Sequence, residues 1–243
     1  MRNVTLGEMR RSSRIVCECN GDVAECPTHG GSLTAKIVER LALQRFEIQP
    51  GTYHVTEICG CLRRSYLERK QGHDETYDQL WVKQRGSALH RKVGYAFQGW
   101  KELPIRMPIQ AEGGEIVLVG YVDAYDPEEA EIIEFKSTRL VKWQKKNGFL
   151  PHPHHVEQIQ AYYSIWTRCY CFPVRSLSIA YMDDETPPTR FPVQLQDITE
   201  RIRDRTIHLH DALMRDVIPT PEPRSLCRYC PFKDICEIKT ELS

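Results

Sequence analysis

The chain has 243 residues, and its 33 basic and 33 acidic side chains give a formal net charge of zero. This balance excludes a uniformly basic nucleic-acid coat protein, although a local groove of Lys and Arg can still bind a phosphate backbone. No apolar run is long enough to cross a bilayer, and the start of the chain lacks an apolar signal segment. We therefore expect a cytoplasmic protein without a membrane partner, whose ten cysteines are reduced.

The first 31 residues predict a separate, loop-rich segment. They contain three cysteines and one histidine at close spacing, namely Cys17, Cys19, Cys26 and His29. Three thiolates and one imidazole are enough for a small zinc site, although a Cys-x-Cys spacing is shorter than zinc sites usually have. The prediction is a zinc site that contacts DNA or a partner, and the alternative is a disordered tail.

Apolar periodicity predicts helices in the next part of the chain. One helix is expected over 33–46 with Ser32 as its N-cap, a second is expected to begin at Thr56, and a third covers 78–100. The second helix would carry three apolar side chains on one side, Ile58, Leu62 and Tyr66.

The period of the apolar pattern then changes to that of strands. Short runs rich in β-branched and apolar residues, separated by turn signals, predict strands over 103–109, 115–123 and 130–137. A helix over 154–170, a strand over 174–182 and a helix over 195–216 follow. This order predicts an α/β domain with a mixed central sheet flanked by helices, over residues 32–223, followed by a cysteine-containing tail over 224–243.

Two carboxylates and a lysine are expected to meet on this sheet. Asp123 ends one predicted strand, and Glu134 and Lys136 share one face of the next, since side chains alternate along a strand. If the two strands pair through the turn at 126–129, Asp123 lies beside Glu134. Two close carboxylates repel unless a cation lies between them, which suits Mg²⁺ or Mn²⁺. Taken alone, such a triplet is more often part of a solvated sheet face.

The tail carries three cysteines with the spacing Cys227-x2-Cys230-x5-Cys236. Three thiolates cannot complete a four-coordinate site, so a fourth ligand must come from elsewhere, and Cys61 is the preferred candidate with Cys59 as its rival. Ligand count suits an iron–sulfur cluster and structural zinc equally well. Free thiols are the remaining alternative.

Four short motifs occur in a fixed order. They are a helical G-x-x-x-H, a G-Y-V-D, an E-x-K and a Q-x-x-x-Y, at Gly86 to His90, Gly120 to Asp123, Glu134 to Lys136 and Gln158 to Tyr162. Each motif is weak alone, but the ordered set resembles the PD-(D/E)XK nucleases of the RecB type. With the cysteine layout added, residues 52–240 resemble the CRISPR-associated Cas-four exonuclease family.

The resemblance implies a role for each matched residue. Asp123, Glu134, His90 and the backbone carbonyl of Phe135 would bind the catalytic divalent ion, Mg²⁺ or Mn²⁺. Lys136 would act on the attacking water. A separate pair on one helical face, Gln158 and Tyr162, would position Lys136 or the DNA backbone.

The resemblance also favours iron–sulfur over zinc at the cysteines. A [4Fe–4S] cluster is favoured and a [2Fe–2S] cluster is the alternative, held by Cys61, Cys227, Cys230 and Cys236. The cluster would clamp the tail against the helix near residues 56–70.

The implied function is that of a metal-dependent deoxyribonuclease, an exonuclease acting on single-stranded DNA or overhangs. Its implied role is trimming new spacers beside the CRISPR spacer integrase complex, in antiviral defence. The alternatives are a RecB-like nuclease of DNA repair or mobile elements, a non-catalytic iron–sulfur scaffold that binds DNA ends, and a zinc-based regulator.

Two further groups of residues have side chains that can bind metal or DNA. Pro151 and Pro153 predict an extended, solvated or DNA-facing loop for three histidines, His152, His154 and His155. Lys142, Lys145 and Lys146 with Trp143 either follow a phosphate backbone and stack on a base, or form a charged loop after a strand.

Overall fold

The computed structural model describes residues 49–236, without the side chains of Tyr77 and Ser225, and the backbone alone of residues 15–17 and 21–22. The chain divides into two compact units. We call the first the cysteine unit, which comprises Met1–Pro50, Cys61–Arg85 and Asp216–Ser243. We call the second the sheet unit, which comprises Gly51–Gly60 and Gly86–Arg215.

The strands are β1 (Ile15–Cys17), β2 (Gly21–Asp22), β3 (Thr52–His54), β4 (Glu75–Thr76), β5 (Trp100–Ala111), β6 (Gly114–Asp126), β7 (Glu131–Ser137), β8 (Ser176–Met182) and β9 (Thr189–Val193). The helices are α1 (Val55–Ile58), α2 (Leu62–Gln71), α3 (Tyr77–Ala96), α4 (Val141–Lys146), α5 (Pro153–Cys169), α6 (Thr199–Arg215) and a 3₁₀ helix (Ser225–Tyr229).

The sheet unit is built on a six-stranded mixed sheet in which β6 has three partners. β5 pairs antiparallel with β6 from Trp100↔Tyr125 to Ala111↔Gly114. The opposite edge of β6 pairs first with β3, in parallel, and then with β7, antiparallel. β7 and β8 are parallel, and β9 closes the order antiparallel to β8. The predicted mixed α/β fold with a central sheet is therefore confirmed.

The two faces of β7 are covered by different helices because its side chains alternate. Ile133 and Phe135 join a buried cluster with Ala124, Ala180 and Met182, and three residues of and just after α3 pack against it: Leu89, Val93 and Phe97. Glu134 points to the other face, where Gln158 of α5 contacts it. Glu134 is therefore on the α5 side of the sheet, opposite the apolar cluster that Ile133 and Phe135 join on the α3 side.

The helix predicted from Thr56 through Tyr66 is wrong as a single element. α1 ends at Ile58, and a new helix, α2, begins at Leu62. Arg205 of α6 donates to the carbonyl oxygens of Ile58 at 2.7 Å and Gly60 at 2.7 Å. These bonds satisfy carbonyls that a helix end leaves without partners, so the chain can turn there.

The extended loop predicted for the three histidines is also wrong. α5 begins at Pro153, which occupies the first helical turn, where a missing N–H has no cost. His152 is the N-cap, and His154 and His155 lie in the first turn. Sequence periodicity also missed the short elements, α4 and β9 among them, since these have no room for a clear apolar repeat.

In the cysteine unit, β1 pairs antiparallel with β2 and parallel with β4. Helix α2 contacts the residue after α6, since Tyr66 donates its hydroxyl hydrogen to Asp216 at 2.8 Å and Lys70 forms an ion pair with it at 2.6 Å. The ring of His73 packs edge-on against Phe232 at a centroid distance of 5.8 Å. These contacts connect α2 with the tail.

Several predictions lie outside the described residues. They are the helix over 33–46 and three residues of the N-terminal zinc site, Cys19, Cys26 and His29. Of the fourth residue, Cys17, only the backbone is described. Within the part of the chain that the structure describes, no helix is both long and apolar enough to traverse a bilayer.

The close packing at Gly120 generates a test of the fold. A Cβ at Gly120 would lie 2.8 Å from Cε1 of Tyr162 and 3.2 Å from Cγ2 of Val55. We expect Gly120→Ala to lower the free energy of unfolding by about 1–3 kcal/mol, because α5 must shift away from β6. Gly94→Ala is the control, since only Lys101 approaches that position, at 3.9 Å. In urea titrations the control should gain about 0.5 kcal/mol from helix propensity, and an equal gain in Gly120→Ala would refute the packing argument.

Candidate active site

Asp123 and Glu134 meet at the end of the β6–β7 hairpin, as their positions on adjoining strands predict. The ladder pairs Ala124 with Ile133, which places Asp123 and Glu134 next to each other. Asp123 Oδ2 accepts a hydrogen bond from the backbone N–H of Phe135 at 2.8 Å. Nζ of Lys136 lies 2.6 Å from Oε1 of Glu134. The two carboxylates and the ammonium group therefore converge on one side of the sheet.

Glu134 is the most constrained of the three, with only 2% of its surface exposed. Burial, followed by the charge of Asp123, raises the pKa of Glu134 to about 8. Its Oε2 atom is buried and has no hydrogen-bond donor among the described residues. A carboxylate oxygen in that state requires either a proton or a cation as its partner.

Asp123 is the group with which Glu134 can share such a proton. Burial raises the pKa of Asp123, and its side chain is within hydrogen-bonding reach of Glu134. Two adjacent carboxyl groups of raised pKa titrate as a pair and can share one proton. A divalent cation can replace that proton with oxygen ligands already side by side.

His90 reaches the pair from α3. Its Nδ1 lies 3.7 Å from Oδ2 of Asp123. The helix comes this close to β7 because Gly86 has no side chain, since a Cβ there would lie 2.8 Å from Oγ of Ser137. Burial and the charge of Lys136 lower the pKa of His90, so its imidazole is neutral and has a lone pair for a metal ion.

Gln158 and Tyr162 reach the pair from α5. The Nε2 atom of Gln158 donates to Oε1 of Glu134 at 2.9 Å and to the hydroxyl oxygen of Tyr162 at 2.8 Å. The sequence-based expectation was a contact with Lys136 or DNA. The structure instead shows that Gln158 orients the Glu134 carboxylate, and that Tyr162 in turn orients Gln158.

Glu102 is a neighbour of the site that the sequence did not indicate. The β5–β6 register skips it, and its backbone is left-handed, with φ of 51°. That conformation costs a non-glycine residue about 1 kcal/mol or more. The carboxylate of Glu102 is close enough to contribute to the raised pKa of Asp123, after burial. No local sequence signal marks this position, because the left-handed backbone arises where the β5–β6 ladder skips one residue of β5.

His155 and Tyr181 form a second pair near the site, of which the sequence indicated only His155 and placed it in a loop. Tyr181 is the strand partner of Lys136 in the β7–β8 ladder. Its hydroxyl lies 2.7 Å from Nδ1 of His155 and accepts the backbone N–H of His152 at 3.0 Å. Burial, with the charge of Lys136, lowers the pKa of His155 to about 2, so this imidazole is neutral. Polar side chains thus continue from Lys136 to the neighbouring strand, where Tyr181 contacts His155.

The cysteines lie in two different environments. Burial raises the pKa of Cys230, and the nearby thiols of Cys61 and Cys227 contribute in the same direction. These three sulfur atoms are therefore neighbours within the cysteine unit. Cys59 is buried in the sheet unit. Cys236 carries a free thiol and is partly exposed.

No ready-made metal-binding group of three or more His, Cys, Asp or Glu side chains is present among the described residues. The candidate metal ligands described above are neighbours, but their ligand atoms do not converge on one point. At the acidic site, Lys136 is bonded to the carboxylate that a cation would need. The orphaned Oε2 of Glu134 shows that the site nevertheless suits a cation.

Comparison with known proteins identifies the family of the chain. Residues 31–237 match the PD-(D/E)XK nuclease superfamily. The match spans most of the chain, so the protein belongs to this superfamily and is a nuclease by family. No curated protein matches the sequence significantly.

Two solved structures are similar to this chain to different degrees. The structure of a protein named SSO0001 superposes with a TM-score of 0.58 at 21% identity, covering 85% of this chain and 97% of that one. A "Putative exonuclease" from Eubacterium rectale gives a TM-score of 0.38 at 16% identity, covering 70% of this chain and 65% of that one. At these identities the first likeness shows the fold alone, and the second carries no argument.

The raised pKa of Glu134 makes stability depend on pH. The pKa is about 8 in the folded protein, against an ordinary value of 4.5. Between these values the folded protein binds more protons than the unfolded chain, so its free energy of unfolding falls as pH rises. We expect melting temperatures in EDTA to fall across this window in the wild type, and to fall less in Glu134→Gln. Parallel curves for the two proteins would rule out the raised pKa.

Proposed function

We propose that the protein hydrolyses phosphodiester bonds of DNA with the aid of Mg²⁺ or Mn²⁺. The observation that carries this proposal is the Asp123–Glu134 pair beside Lys136, in which Glu134 is buried and one of its carboxylate oxygens lacks a partner among the described residues. A structural acidic pair would be stabilised by further donors, whereas a site for a cation must keep an oxygen available.

The residues have distinct proposed roles. Asp123, Glu134, His90 and the carbonyl oxygen of Phe135 would hold the cation, which when bound stabilises negative charge on the attacked phosphate. Lys136 lies beside them, only partly exposed, and exchanges a proton with the attacking water or balances charge on the phosphate. Gln158 keeps the carboxylate of Glu134 in one orientation through its two hydrogen bonds.

The substrate and the biological role are proposed from the resemblance described above. The substrate is single-stranded DNA or the overhang of a duplex, cut as by an exonuclease. The role is trimming of new spacers beside a CRISPR spacer integrase, and a repair or mobile-element nuclease would use the same chemistry. An iron–sulfur scaffold that binds DNA ends would keep the fold without hydrolysis.

Cleavage of a 5′-labelled single strand separates these functions. With Mn²⁺ or Mg²⁺ we expect the wild type to degrade the strand, and Asp123→Ala and Lys136→Ala to be slower by at least about a hundredfold. Glu115→Ala is the matched control, because Glu115 is an exposed carboxylate on the same strand as Asp123. Equal degradation by all four proteins would remove the site assignment. Lack of cleavage by the wild type would favour the scaffold.

We also propose an iron–sulfur cluster at Cys61, Cys227, Cys230 and Cys236, [4Fe–4S] in preference to [2Fe–2S]. The proximity of Cys230 to Cys61 and Cys227 supports the donor set, and four thiolates suit either cluster or zinc. The cluster's role would be structural, since it would join α2 to the tail. A zinc site at Cys17, Cys19, Cys26 and His29 remains a prediction.

Replacing one of these cysteines tests the structural role. We expect Cys230→Ser to lose iron and sulfide after anaerobic purification and to melt several degrees lower, because a cross-link between α2 and the tail is lost. Strand cleavage at low temperature should change much less. Cys171→Ser, which alters an exposed cysteine of the sheet unit, is the control. An unchanged melting temperature and iron content in Cys230→Ser would contradict the proposal.

A further inference from the structure

We propose that the segment after β7 forms a stacking platform for single-stranded DNA that leads to the active site. This inference rests on the proposed function and assigns part of substrate binding to a surface outside the catalytic motifs. We call this surface the aromatic–basic platform and define it by seven exposed side chains: Arg139, Leu140, Lys142, Trp143, Lys145, Lys146 and Phe149.

The platform is fixed to the catalytic part of the sheet. Its helix, α4, begins at Val141, five positions after Lys136. The backbone N–H of Thr138 donates to the carbonyl oxygen of Met182 at 3.0 Å, and the N–H of Val141 donates to Oδ2 of Asp183 at 2.9 Å. Val141 itself is fully buried. A strand lying on α4 is therefore held at a constant distance from Lys136.

The aromatic part of the platform is ordered and open to solvent. Trp143 and Phe149 are each 54% exposed, and their rings stack with centroids 5.4 Å apart and planes 28° apart. The turn between them is held by Asn147, whose backbone and side-chain nitrogens donate to the carbonyl oxygen of Trp143 at 3.0 Å and 2.8 Å. Two large rings held in place at the surface, beside the exposed Leu140, mark a binding surface.

The basic part of the platform is not neutralised. Within residues 49–236, no ion pair joins Arg139, Lys142, Lys145 or Lys146 to a carboxylate. The ammonium group of Lys145 lies over the ring of Phe191, 5.7 Å from its centroid. Four positive charges therefore lie within eight residues of a chain whose net charge is zero. Local charge of this kind attracts a phosphate backbone.

The combination of rings and cations selects unpaired strands. Bases of a duplex stack on one another and hide their faces, whereas bases of a single strand can stack on aromatic side chains while phosphates contact Lys and Arg. An acidic peptide could pair with the Lys and Arg side chains, but it would have no flat ring to stack on Trp143 and Phe149. The platform therefore fits a single strand better than a duplex or a peptide.

Binding can be measured on the full-length protein in EDTA, so that the strand is not cut. The probes are fluorescent oligothymidylate, the corresponding duplex, oligouridylate and polyglutamate, followed by anisotropy. We expect Trp143→Ala to raise the Kd for oligothymidylate about tenfold and to change the Kd for duplex little. Trp143→Phe, which keeps an aromatic ring, should retain most of the wild-type affinity. Tyr95→Ala, which removes an aromatic side chain that is 91% exposed on α3, is the control and should bind like the wild type.

The lysines give a second readout. Replacing Lys142, Lys145 and Lys146 together by Ala should reduce the slope of log Kd against log salt by about 2, since each lost phosphate contact removes about 0.7 on a single strand. The exposed position of these side chains means that melting temperatures should stay close to that of the wild type. A variant that binds the strand normally with an unchanged slope would overturn the electrostatic part.

Several outcomes would overturn the platform. They are a wild-type Kd in Trp143→Ala, an equal loss of duplex affinity, or tighter binding of oligouridylate or polyglutamate than of oligothymidylate. If Trp143→Ala binds and cleaves normally, the platform is wrong and the nuclease proposal stands. If the wild type binds strands through Trp143 but cuts none, the platform stands and the nuclease proposal is wrong.

Discussion

Burial of the Glu134 carboxylate next to Asp123 is the constraint on which the site depends. A lone buried carboxylate is unfavourable, and a second one beside it adds repulsion, so the pair must hold a proton or a cation. The surrounding groups relieve this conflict only in part, because the charge of Lys136 lowers the pKa of Glu134 but burial and Asp123 still hold it raised. Gln158 and Lys136 both bond to one oxygen of Glu134, and the other oxygen has no donor among the described residues.

The fold brings these groups together through close contacts between its layers. Gly86 lets α3 approach β7 so that His90 reaches Asp123, and Gly120 lets α5 approach β6 beside Tyr162. The two glycines of the G-x-x-x-H and G-Y-V-D motifs thus have a steric explanation. Each leaves space that a single methyl group would fill, and each places a helix that carries a polar residue of the site.

The sequence predicted what depends on local pattern. Alternation along β7 and the turn at 126–129 were enough to place Glu134 beside Asp123. Features that depend on distant partners were missed. Arg205 ends α1 by bonding to Ile58 and Gly60, and no signal near those two residues reveals it. The left-handed backbone of Glu102, which the β5–β6 ladder skips, was also missed.

Proton release on cation binding tests the central claim most directly. Calorimetric titration of Mn²⁺ into the protein near neutral pH, in buffers of different ionisation enthalpy, counts the protons displaced. We expect about one proton per cation from the wild type, because the cation replaces the proton shared by Asp123 and Glu134. Binding without proton release, or equal release from Glu134→Gln, would contradict the account.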